Sequence, residues 1–111
     1  MAYNDELFER VTQVMEELTS GDFVGKKMFG GVGYLINGNM ACGILGDKLI
    51  VRVGKDAYKV ALNQEGVIEF LNNGRPMTGW VMVNNAVFSE NDRLVEWVSK
   101  GIDFVLTLHG K

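Results

Sequence analysis

The stretch KKMFGGVGYLINGNMACGILGDKLIVRV, residues 26–53, decides the fold. Its apolar residues alternate with small or polar ones, and turn dipeptides interrupt it at short intervals, which is the pattern of strands joined by hairpins. Asn37-Gly38 is a strong hairpin turn, because a type I′ turn needs positive φ at both central positions and Asn and Gly tolerate it. Gly46-Asp47 makes the next turn. The predicted strands cover about 26–30, 32–37, 40–45 and 48–53 and form an antiparallel meander. In the last strand Leu49, Val51 and Val53 point one way and Lys48, Ile50 and Arg52 the other. One face therefore belongs to the core and the other is partly solvated.

Outward from the meander, the N-terminal segment repeats Leu7, Phe8, Val11, Val14, Met15 and Leu18 at helical spacing. Asn4 is its expected N-cap, Asp5 and Glu6 suit the positive end of the helix dipole, and Gly21 is a C-cap candidate. This predicts a helix over about 5–20. A short helix is expected over about 55–64, between Gly54 and Gly66, with Ala57, Tyr58, Ala61 and Leu62 as its stripe. Strands are expected at about 67–71 and 79–84, with Asn73-Gly74 between them and Pro76 at a turn or edge. A last helix over about 90–109 takes Ser89 as N-cap, with Asp92 completing a weak capping box, and ends at Gly110. Leu94, Trp97, Val98, Ile102, Val105 and Leu108 form its apolar face, broadened by Val95 and Leu106, and Gly101 lies inside it for close packing or a bend. The order is α-β-β-β-β-α-β-β-α, an α+β fold in which an antiparallel sheet packs with N- and C-terminal helices.

The chain has 111 residues, enough for one domain over 1–111. Apolar residues are 47% and charged residues 23%, too apolar and too weakly charged for a disordered chain. No apolar run reaches membrane-span length, and the acidic N-terminus is not a signal peptide. With one Cys and one His, neither a disulfide framework nor a protein metal site is expected, and the reducing cytoplasm is the expected location. No cofactor is implied. The net charge of −3 argues against direct nucleic-acid binding, as does the acidic first helix.

Among candidate chemistries, the glycine-rich run Gly30, Gly31, Gly33 could cradle an anion, but no helix or G-K-[ST] follows it, which favours a bend between paired strands. Lys27 enters the first strand, and Arg52 and Lys55 flank the start of the second helix. Together with the glycines they make a candidate site for a small anionic ligand. Cys42 sits mid-strand with no spacing that ties it to His109, so a buried thiol is expected in place of a nucleophile. His109 is expected on the last helical turn. The carboxylates fall on outer faces and turns. Trp80 and Met82 share one face of their strand and could reach an interface, where aromatic residues and Met are enriched.

Lys27-Met28-Phe29-Gly30-Gly31-Val32-Gly33-Tyr34, with Asn37-Gly38, Met40-Ala41, Leu49 to Val53 and the later Gly74-Arg75-Pro76-Met77 and Trp80, resembles the TfoX (Sxy) N-terminal domain family. The resemblance spans nearly the whole chain, as a stand-alone domain of that type. It implies an α+β fold and a role tied to regulators of bacterial competence, and it carries over no catalytic residue. The expectation is a non-enzymatic regulatory or protein-interaction module acting on a protein partner or on itself as a homodimer. An anionic-ligand domain is the alternative, and an enzyme built on Cys42 the least favoured reading.

Overall fold

The computed structural model describes residues 3–28 and 30–108; the expectations for His109 and Gly110 lie outside that range. The chain runs α1 (Asp5–Thr19), β1 (Val24–Met28), β2 (Gly31–Ile36), β3 (Asn39–Leu45), β4 (Lys48–Arg52), α2 (Lys55–Leu62), β5 (Val67–Asn72), β6 (Arg75–Val83), a 3₁₀ turn (Asn85–Phe88) and α3 (Asn91–Val105). All six strands join one antiparallel sheet in the order β1-β2-β3-β4-β6-β5. The α+β architecture and its element order are therefore as expected. The Asn73-Gly74 hairpin folds β5 outward, so that β6 pairs with β4 and β5 becomes an edge.

Helices α1 and α3 lie side by side on one face of the sheet, with α3 over β3 and β4, while α2 packs on β6 and β5. The Asn4 carboxamide caps α1 by accepting the Leu7 N–H at 3.0 Å, and Leu7, Val11, Val14 and Met15 are buried below it. The helix ends at Ser20, at φ 56°, one residue before the expected Gly21. Tyr34 reaches up from β2 between these layers: its hydroxyl lies 2.8 Å from Thr12 Oγ1 and donates to the Phe8 carbonyl at 3.3 Å. Burial pushes the Tyr34 hydroxyl up to about 12, although the Thr12 hydrogen bond pulls the other way.

Helix α3 owes its close approach to two features. The β2–β3 register slips between Tyr34 and Leu35, leaving Ala41 as an unpaired extra residue. Gly101 then lies directly on the Ala41 carbonyl, where a Cβ would stand 3.0 Å from the carbonyl carbon and closer still to the oxygen. Close packing, not a bend, is the role of this glycine.

Several boundaries differ from expectation. Strand β1 begins two residues earlier, and β6 starts at Arg75. Pro76 lies in β6 beyond the last β4–β6 pair, so no ladder bond from its nitrogen is required there. The N-cap of α3 is Glu90, not Ser89, because the 3₁₀ turn consumes the preceding residues, and no side chain caps the helix. The helix stops at Val105, which leaves Leu106 exposed. Ala57 is exposed as well, so the inner stripe of α2 is Tyr58, Ala61 and Leu62.

Candidate protein-interaction surface

Because strand residues alternate and directly paired residues share a side, the register sorts the sheet into two faces. Cys42, Ile44, Leu49, Val51, Val81 and Val83 point to the helices and form the core. The opposite face carries Met28, Leu35, Met40, Leu45, Ile50, Phe70, Trp80 and Met82, and among the described residues no helix packs on it. Ile50 is only 5% exposed yet stands outside the main core, so a second apolar layer covers it.

That layer surrounds a cleft of about 140 Å³, lined chiefly by Met28, Met40, Ile50, Phe70, Met77 and Trp80. Its floor is made of missing side chains. Gly33 pairs directly with Gly43, and a Cβ on Gly33 would lie 2.9 Å from the Met28 Sδ and Cε and 3.2 Å from the Met40 Sδ. The two methionines lie across the glycine furrow. On the other side of the cleft, Phe70 and Trp80 meet at 6.3 Å between ring centres, tilted by 44°. Met77 and Trp80 are three apart and would oppose each other in a regular strand. The β5–β6 register shifts here, Gly79 takes φ 93°, and both side chains reach the cleft.

Arg52 closes one end. Its guanidinium carbon is 5.2 Å from the Trp80 ring centre and 5.4 Å from that of Phe104, an aromatic clamp on a half-buried cation. Among the described residues Arg52 forms no ion pair.

The glycine-rich bend and the Arg52–Lys55 region do not converge. Gly30 makes the β1–β2 turn at φ 77°, and Gly31 packs on the Ile44 carbonyl, level with the Leu45–Lys48 end of the sheet. Arg52 lies four residues along β4, roughly 13 Å away by strand rise alone. Lys27 is exposed on the helix side of β1, paired with Val32, and Lys55 is exposed in the first turn of α2. Trp80 and Met82 do share a face, and it is the uncovered one.

Cys42 is fully buried at 3.9 Å from the Met15 sulfur, and burial pushes its thiol up to about 12, so it stays protonated at neutral pH. Burial, with Glu69 close by, also raises Tyr58 above its ordinary value. No helix among the described residues is long and apolar enough to cross a membrane.

Sequence reasoning found Trp80 and Met82 but missed Met28, Met40, Ile50, Phe70 and Met77 as parts of one surface. Two signals pointed there: an isoleucine between Lys48 and Arg52 on the face read as solvated, and glycines at 31, 33 and 43 that strip the same face of side chains. No curated protein matches the chain closely enough to register as a relative. The family model described as the TfoX N-terminal domain matches residues 3–105, from the first bridge of the sheet to the last residue of α3. A match over this much of the fold settles the family, and the chain belongs to the TfoX N-terminal domain family.

Proposed function

We propose that this domain is a non-enzymatic protein-interaction module that docks a partner on the uncovered face of its sheet. The observation that carries this reading is the methionine- and aromatic-lined cleft on a face that no helix packs on among the described residues. Sheets of this kind commonly bury one face and leave the other polar. Here the second face is apolar at its centre. Methionine is flexible and polarizable, and it repacks around different shapes at binding surfaces. The resemblance to competence regulators fits a regulatory contact in the cytoplasm, made by binding rather than by chemistry.

The test is site-resolved crosslinking in the host cell. A photoreactive residue at Met82, on this face, should give one discrete protein adduct. The same residue at Val60 or Leu106, exposed at 69% and 60% on the helical side, should give none. Equal labelling from both sides, or none from Met82, removes the reading.

A second reading, an anionic small ligand, draws support from Arg52 alone, since the glycine bend lies at the far end of the strands. Titration with inorganic phosphate should then move the Arg52 Nε resonance; a still resonance dismisses it.

A further inference from the structure

Four of the five cations on the strands share one face, and the fifth, Lys27, points to the helix side. By register, Lys26, Lys48, Arg52 and Arg75 share the uncovered face with the cleft. The acid within the strands, Glu69, pairs with Val81 and so points to the helix side, where it meets Tyr58 at 3.5 Å. This face is thus cationic in a chain whose net charge is −3. Lys48 lies 3.5 Å from Asp47 in the adjoining turn, whereas Lys26, Arg52 and Arg75 form no ion pair among the described residues.

We infer that the occupant of this face is an acidic amphipathic helix of a different protein, an inference that rests on the docking role proposed above. The cleft's lining runs from Met28 in β1 to Phe70 in β5, across six strands at about 4.8 Å spacing, or roughly 24 Å, which is the length of a helix of about sixteen residues with an apolar stripe at i, i+3 or i+4, and i+7. Flanking carboxylates would meet the unpaired cations at its rim.

The same charges disfavour a second copy. A two-fold, face-to-face pair sets four cations against the same four. Packing this face on the acidic α1 of another copy, with Glu9, Glu16 and Glu17, uses two different surfaces and builds an open chain instead of a closed dimer. Single-stranded nucleic acid needs free ring faces for its bases. Trp80 already has Arg52 over its ring and Phe70 beside it.

The test is display selection of random helical peptides of about sixteen residues against the full 111-residue chain, followed by calorimetric titration of the winners. Enriched peptides should carry the apolar stripe and a net negative charge. Their affinity should fall roughly tenfold between 50 and 500 mM salt. The exposed pair Lys26→Glu and Arg75→Glu should weaken binding by about tenfold or more with an unchanged melting temperature. Peptides that lose binding on Met77→Glu but are neutral or basic would overturn the acidic partner and leave the docking role standing. A selection with no winner sensitive to Met77→Glu would sink both. Binding of an oligo-dT probe to this face, or a concentration-dependent dimer lost in the Lys26→Glu, Arg75→Glu variant, would replace the proposal with nucleic acid or a second copy.

Discussion

Gly31 and Gly33 sit two residues apart in β2, both buried and both on the uncovered face, yet alanine should affect them very differently. In either case the change removes chain entropy from the unfolded state, a gain of about 0.4–1 kcal/mol. At Gly33 the new Cβ meets only the ends of Met28 and Met40, which can swing aside. The gain and the small repacking cost then nearly cancel, within about 0.5 kcal/mol. At Gly31 the Cβ meets the Ile44 backbone carbonyl, with the carbonyl carbon at 3.1 Å and the Leu45 Cα at 3.3 Å. Backbone in the middle of a sheet cannot turn away, so the strands must part at a cost of about 1–3 kcal/mol. At roughly 4 °C per kcal/mol for a domain of this size, and with about 1–3 kcal/mol as the net loss at Gly31, Gly31→Ala should melt about 4–12 °C lower and Gly33→Ala within about 2 °C of the parent. Thermal unfolding followed by circular dichroism reads both. Equal shifts, or a larger loss at Gly33, would refute the assignment of Gly31 to the fold and Gly33 to the methionine furrow.

Helix propensity alone says that Gly101→Ala stabilises α3 by about 1 kcal/mol; the Ala41 carbonyl beneath it reverses the sign, and urea denaturation should show a net loss of about 1–3 kcal/mol. Tyr34→Phe removes the hydroxyl shared with Thr12 and Phe8 and should cost about 1 kcal/mol by the same assay. Stability should also fall at high pH. Cys42 and Tyr34 release protons near 9.0 and 10.0 when unfolded but hold them to about 12 when folded, so their contribution is intact below pH 9.0 and is lost as pH rises towards 12. Each group adds a slope of up to about 1.4 kcal/mol per pH unit. Cys42→Ala should flatten the early part of that decline in denaturant melts, and an unaltered slope would contradict the buried-thiol assignment.

The meander was legible because local chemistry settles it: Asn37 at φ 53° and Gly38 at φ 80° make the turn that the dipeptide announces. Helix α1 was legible for a similar reason, since cap and periodicity agree. What the sequence hid depends on distant pairings. The place of β6 between β4 and β5 rests on which strands meet in space, which no local pattern encodes. The start of α3 was misplaced because Ser89 has the chemistry of an N-cap, yet a 3₁₀ turn through Asn85–Phe88 places it before the cap position. The anion site read from Gly30, Arg52 and Lys55 grouped residues by their chemistry, with no local signal for their separation, and the register sets Gly30 and Arg52 at opposite ends of the strands. The cleft itself emerged only when the register placed Met28, Met40, Met77 and Trp80 on one face, with irregular pairing at Gly79 turning Met77 to the same side.

The most direct measurement is methyl NMR of ε-¹³C-methionine protein titrated with a selected acidic helical peptide. The chain carries its own control, because Met28, Met40, Met77 and Met82 stand on the uncovered face and Met15 is fully buried under α1 on the other. The expected result is large, saturable shifts of the four face methyls with Met15 unmoved. Shifts confined to Met15, or binding that leaves all five methyls in place, would contradict docking on the open sheet.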